Sequence, residues 1–72
     1  MPRTLFLRVP CSDDPLLTDA LEMMRDYPGH NRVVIYCTDS GQKMSWNRTV
    51  AHDSRMLDEL EKMLGKENVV MK

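Results

Sequence analysis

The sequence has few cysteines and no long apolar run. Its 72 residues include only two cysteines, Cys11 and Cys37, which lie far apart and do not form a Cys-x-x-Cys pair. Small secreted domains stabilised by disulfides usually carry at least four cysteines, so we expect free thiols and a cytoplasmic protein. A membrane-spanning helix needs roughly 18 apolar residues. No stretch of the chain approaches that length, so we expect no membrane partner.

The sequence also lacks an excess of charge of either sign. Ten lysines and arginines stand against eleven aspartates and glutamates, which gives a net charge of −1 and an isoelectric point near 6.0. Proteins that coat nucleic acid are strongly basic, so the charge disfavours that class. A chain this short buries only about 60% of the surface that its unfolded form exposes. We therefore expect one small domain over residues 1–72, without a deep substrate pocket.

Apolar periodicity and turn residues divide the chain into six elements. Apolar alternation predicts a strand at residues 4–9, and a β-prone run predicts one at residues 32–38. Residues 42–46 follow a turn signal at residues 39–41 and are predicted as a third strand, with residues 47–51 as its extension. Residues 69–71 are predicted as a short final strand. Apolar residues at helical spacing predict helices within residues 12–29 and 52–65. Asp14 before Pro15 is typical of a helix start. Pro28 and Gly29 are predicted to end that helix, with Gly29 in a left-handed conformation.

The order β-α-β-β-α-β predicts an α+β fold of two layers. Each helix carries one apolar stripe that must be covered, and the economical arrangement places both helices on one face of a four-stranded sheet. The ferredoxin-like fold, with its split β-α-β unit, is the default topology for this order. The predicted stripes are Leu16, Leu17, Ala20, Leu21 and Met24 in the first helix, and Met56, Leu57, Leu60, Met63 and Leu64 in the second.

Strand alternation assigns the apolar strand residues to two faces of the sheet. The residues predicted to face the helices are Leu5, Leu7, Val9, Val33, Ile35 and Cys37. The residues predicted on the opposite face are Phe6, Arg8, Val34, Tyr36, Lys43 and Val70. An uncovered apolar patch indicates a partner. The favoured interpretation is that another part of a longer chain covers this face; a separate partner, or an error in the assigned register, are the alternatives.

Three residue sets contain residue types found in catalytic or metal sites, and each has a simpler explanation or lacks the spacing that such a site needs. Residues 52–54, His-Asp-Ser, contain the residue types of a catalytic triad, but sequence neighbours cannot face one another as triad members do, so a helix cap is favoured. Asp13 and Asp14 precede Pro15, where carboxylates stabilise a helix N-terminus, and no third oxygen ligand for Mg²⁺ lies at a set spacing. The two histidines and two cysteines lack the short paired spacings of zinc sites.

Two binding functions stay open as alternatives. Small β-α-β-β-α-β domains can bind RNA by stacking bases on aromatic residues of the first and third strands. Phe6 lies on the first strand, but Trp46 on the third shares a face with Met44, and the RNP1 pattern is absent. A weak interaction with single strands would use the cations Arg3, Arg8, Arg32, Lys43 and Arg48. Ligand-sensing modules often need a glycine after the first strand, and residues 10–14 contain none.

From Leu5 to Lys72, the chain resembles the extreme C-terminal domain of the bacterial DNA polymerase III alpha subunit, the DnaE-type replicative polymerase. The pattern is distributed over the whole chain, and its spacing is also similar to the family. The residues that carry it are Leu5-Phe6-Leu7-Arg8-Val9, Tyr27-Pro28-Gly29, Val33-Val34-Ile35-Tyr36, Leu57, Leu60, Leu64-Gly65 and Glu67-Asn68-Val69-Val70.

The resemblance implies a fragment of a much larger cytoplasmic enzyme of DNA replication, a DNA-directed DNA polymerase (a nucleotidyltransferase). That chemistry uses Mg²⁺ and acidic residues of a palm domain far upstream, so the resemblance implies no catalytic residue and no cofactor in this segment. In the family the segment follows an OB-fold domain and a clamp-binding region. In some members it contacts the tau subunit of the clamp loader. The implied role is docking on replisome proteins or on upstream domains of the same chain.

Overall fold

Six regular elements and one 3₁₀ turn follow one another in a computed structural model that describes all 72 residues. The bounds are β1 Thr4–Val9, α1 Pro15–Met24, β2 Pro28–Cys37, β3 Gln42–Val50, α2 Ser54–Leu64, the 3₁₀ turn Lys66–Asn68 and β4 Val69–Met71. The predicted β-α-β-β-α-β order is confirmed. Neither α1 nor α2 is long and apolar enough to cross a lipid bilayer.

The four strands form one mixed sheet in the order β3-β2-β1-β4. β1 pairs with β2 in parallel and with β4 in antiparallel orientation, and β2 pairs with β3 as an antiparallel hairpin. The predicted class, an α+β sandwich of two layers, is confirmed and is consistent with a ferredoxin-like fold. The predicted split β-α-β unit is not present, because β1 and β2 are direct neighbours with no strand between them. The helical crossover through α1 is the kind of connection that adjacent parallel strands need.

The first helix ends earlier than its sequence suggested. Asp14 caps its start by accepting a hydrogen bond from the Leu16 backbone N–H at 2.8 Å, as predicted. The helix ends at Met24, so the predicted end at Pro28 and Gly29 was wrong. Those two residues open β2, because Pro28 lies opposite Val50 in the sheet. Pairing with β3 therefore determines the conformation of Pro28 and Gly29, although their residue types are typical of a helix end.

Gly29 is required for a reason other than the one predicted. It does not adopt the left-handed conformation, which is confined to Gly41 and Gly65. A Cβ atom on Gly29 would instead collide with the backbone of Val50 and Ala51. A backbone hydrogen bond from the Ala51 N–H to the Tyr27 carbonyl, at 2.8 Å, holds the two segments in this close approach.

The third strand runs from Gln42 to Val50, so the predicted extension beyond Trp46 is confirmed as far as Val50. Its pairing with β2 is irregular. Val34 lies opposite Ser45, and Arg32 lies opposite Thr49. Two steps along β2 therefore match four steps along β3, which places extra residues in a bulge. Such bulges increase the local twist and make an edge strand a poor template for another chain.

The second helix has the predicted caps. The Asp53 carboxylate accepts hydrogen bonds from the backbone N–H groups of Arg55 at 2.8 Å and Met56 at 3.2 Å. Gly65 ends the helix with a φ of 97°, which favours glycine. Asp53 thus serves as a helix cap, as predicted for the His-Asp-Ser triplet.

The core lies between the helices and one face of the sheet. All six strand residues predicted to face the helices are buried, and the core also contains Leu17, Ala20, Met24, Val50, Met56, Leu60 and Val69. Leu16 was predicted in the α1 stripe, but its side chain is 50% exposed. It occupies the first turn of α1, directly after Pro15, and the buried face of the helix begins one residue later at Leu17.

Candidate protein-docking surface

Six residues predicted to share the second face of the sheet do lie on it. In the register, Phe6 is flanked by Val34 and Val70, while Tyr36 is flanked by Arg8 and Lys43. We call these residues the open sheet face: Phe6, Arg8, Val34, Tyr36, Lys43 and Val70. No helix packs on it, since both helices occupy the other side. Val70 is 40% exposed, Phe6 and Tyr36 are partly buried, and Val34 is largely covered.

The open sheet face contains a depression of about 510 Å³. Five of the six predicted residues line it, and Val34 does not. Four further residues that the sequence analysis did not select also line it: Leu7, Glu67, Asn68 and Lys72. Three of these come from the 3₁₀ turn or from the residue after β4. Strand alternation could not identify them, because they lie outside the strands and reach the surface through the pairing of β4 with β1.

Arg8 is held in position by uncharged acceptors. Its Nε–H donates to Asn68 Oδ1 at 2.8 Å, and a terminal N–H donates to the Glu67 backbone carbonyl at 3.3 Å. Asn68 is itself fixed, since its Nδ2–H donates to the Leu64 carbonyl at 2.6 Å at the end of α2. Neutral acceptors orient the guanidinium group but leave its positive charge uncompensated. The geometry therefore presents a fixed cation at the rim of the depression.

Lys72 adds a second cation over an aromatic ring. Its Nζ atom lies 5.8 Å from the centroid of the Phe6 ring, within the range of a cation–π contact. Its backbone is tied to β1, because the Lys72 N–H donates to the Thr4 carbonyl at 2.9 Å. The reciprocal bond from Thr4 N–H to the Lys72 carbonyl measures 3.3 Å. The depression thus combines aromatic surface with positive charge.

Charge is divided unevenly between the two layers. None of the four strands contains an aspartate or a glutamate, yet the strands contain four cationic residues: Arg8, Arg32, Lys43 and Arg48. The three ion pairs all lie on the helices and their caps: Arg25–Glu22 at 3.3 Å, Arg55–Asp53 at 4.0 Å and Lys62–Glu59 at 3.7 Å. A chain of net charge −1 therefore has a sheet layer whose cations take part in no ion pair.

The cysteines are placed differently from each other. Cys37 is buried in the core and Cys11 is partly exposed after β1, and both are free thiols. A hydrogen bond to the Asp13 carboxylate raises the pKa of the Cys11 thiol, and burial and the negative charge of Asp13 add to that effect. A raised pKa lowers the fraction of Cys11 that is present as thiolate. No three His, Cys, Asp or Glu side chains cluster to hold a metal ion.

Comparison with known proteins found no relative of this chain. No protein-family model, no curated protein and no solved structure matches it. The resemblance to the polymerase subunit therefore stays a prediction.

Proposed function

We propose that this chain is a non-catalytic protein-interaction domain that docks on a partner through the open sheet face. The observation that carries the proposal is the depression on that face, where Phe6, Tyr36 and Val70 offer apolar surface beside cations without ion-pair partners. Apolar side chains that lie together in an uncovered depression support an interaction site.

The resemblance described above supports a specific setting for this docking. On that basis the chain is a C-terminal part of a cytoplasmic DNA polymerase III alpha subunit that functions in DNA replication. Catalysis and Mg²⁺ binding belong to other parts of that parent chain. The partners are replisome proteins, with the tau subunit of the clamp loader as the first candidate. Upstream domains of the parent chain are the alternative occupants of the same face.

Glutamate substitutions on the open sheet face test the docking function. Tyr36→Glu and Phe6→Glu place a charge in the depression, and both should abolish binding to purified tau subunit or to the upstream part of the polymerase in calorimetry. Leu16→Glu is the matched control, because Leu16 is an exposed apolar residue on the helix layer. Circular dichroism would verify that each variant stays folded. Unchanged binding of both folded sheet variants to each candidate would contradict docking through this face.

A second candidate function is weak binding of single-stranded nucleic acid. The acid-free strands favour it, because their cations are available to phosphates. Arg3, Arg8, Arg32, Lys43 and Arg48 would make those contacts. Phosphate binding releases counterions, so affinity should fall steeply with salt. Anisotropy of a fluorescent oligonucleotide over a salt series measures this, and absent or salt-insensitive binding would refute it.

A further inference from the structure

We infer that the open sheet face recognises an acidic, apolar protein segment, in which aspartates or glutamates flank an aliphatic or aromatic side chain. The inference rests on the proposed docking function and specifies the chemistry of the partner. Its basis is the uncompensated charge around the depression, together with the apolar surface at its centre.

The charge around the depression is predominantly positive. Arg8, Lys43 and Lys72 line it, and Glu67 is the one acidic residue that does so. None of the three cations takes part in an ion pair within the chain. The strands beneath contribute no acidic side chain. Complementary potential across an interface steers association and excludes partners of the same charge, so the occupant should be acidic.

Arg8 is arranged to receive a carboxylate. Its Nε–H and one terminal N–H already bind Asn68 and the Glu67 carbonyl, which fixes the plane of the guanidinium group. Guanidinium has five N–H donors, so further donors stay free for a partner. Because the group is already oriented, a carboxylate that binds there incurs less loss of side-chain entropy than one that binds a mobile arginine.

The remainder of the depression suits an apolar side chain. Phe6, Tyr36 and Val70 contribute apolar surface, and Val70 is 40% exposed in the free chain. A volume of about 510 Å³ falls within the roughly 300–1,000 Å³ typical of ligand sites. Covering this surface supplies hydrophobic free energy that a purely charged ligand could not exploit.

Two observations favour a peptide over a nucleic acid. The chain as a whole carries a net charge of −1, whereas domains that bind nucleic acid are typically strongly basic. Lys72 Nζ also lies over the Phe6 ring, 5.8 Å from its centroid, so a base that stacks on this ring would have to share that side of it with the lysine. An acidic side chain can instead pair with Lys72.

Selection from displayed random peptides tests the inference directly. Peptides would be selected on the immobilised 72-residue chain and depleted on folded Tyr36→Glu protein. The enriched sequences should combine Asp or Glu with Leu, Ile, Phe or Trp. Lys43→Glu should weaken the best peptide by about tenfold, because reversing a rim charge converts attraction into repulsion. Lys62→Glu, a charge reversal on the helix layer, should leave its affinity unchanged.

The other outcomes separate this inference from the docking function. Enriched peptides that are neutral or basic would overturn the acidic specificity and leave docking intact. Failure to enrich any peptide over Tyr36→Glu would contradict docking and the acidic specificity together. An oligothymidylate that displaces the peptide and binds more tightly would assign the face to nucleic acid and overturn the inference.

Discussion

Substitution of Asn68 tests how the 3₁₀ turn organises the open sheet face. Asn68→Ala removes two hydrogen bonds, one from Arg8 at 2.8 Å and one to the Leu64 carbonyl at 2.6 Å. A typical hydrogen bond contributes about 0.5–1.5 kcal/mol net, and the bond to Arg8 lies at the low end because it is exposed. The two together should contribute roughly 1–2 kcal/mol. The whole domain should have only about 4–11 kcal/mol of unfolding free energy, at the usual value per residue.

Thermal and urea denaturation would measure this effect. For a domain of this size, each kcal/mol lowers Tm by roughly 4–8 °C, so Asn68→Ala should lower it by about 4–16 °C. Asn68→Asp is the informative companion variant. It keeps an acceptor for Arg8 but loses the donor to Leu64, and its charge neutralises Arg8. It should therefore weaken acidic peptides even though Arg8 stays anchored. An unchanged Tm for Asn68→Ala would refute the view that Asn68 couples α2 to the sheet.

Three further substitutions test the core, the close backbone approach and the thiol. Leu60→Ala removes a fully buried side chain of α2 and should lower the free energy of unfolding by about 2–5 kcal/mol in urea denaturation. Leu57→Ala, at a partly buried position, is the control. An equally small loss for both variants would contradict the assigned core. Gly29→Ala introduces a Cβ against the Val50 and Ala51 backbone, and in the same denaturation assay it should lower the free energy of unfolding by about 1–3 kcal/mol or more. Gly41→Ala is the control: a Cβ there meets no other atom, so the loss should come only from the strain of its positive φ. Asp13→Asn removes the carboxylate that raises the Cys11 pKa, so the thiolate should form at lower pH. The pH profile of iodoacetamide alkylation should shift to lower pH accordingly. An unshifted profile would show that Asp13 does not control the pKa of the thiol.

The strand faces could be predicted because alternation is a local property. Leu5 and Leu7 on one side and Phe6 on the other follow directly from the two-residue period of a strand. The caps at Asp14 and Asp53 were also predictable, since each depends on the first turn of its own helix. The end of α1 was not, because Pro28 joins β2 by pairing with Val50, 22 residues later. Local residue preferences contain no information on such a partner.

The candidate site was predictable only in part for the same reason. Phe6, Arg8, Tyr36, Lys43 and Val70 lie on strands, so their shared face followed from alternation and pairing. Asn68 and Lys72 reach the depression because β4 pairs with β1, which the alternation pattern does not reveal. The element order alone also does not distinguish a split β-α-β unit from the direct pairing of β1 with β2.

The position of β1 in the sheet has a consequence for how the chain folds. β1 lies between β2 and β4, so one of its two neighbours belongs to the last residues of the chain. During synthesis, β1 would remain unpaired on one side until β4, the last strand of this domain, has left the ribosome. Contacts of such long sequence separation slow folding relative to helical bundles, because a large loop must close before they form. Folding should accordingly be cooperative and late, with removal of β4 exposing one edge of β1 to other chains.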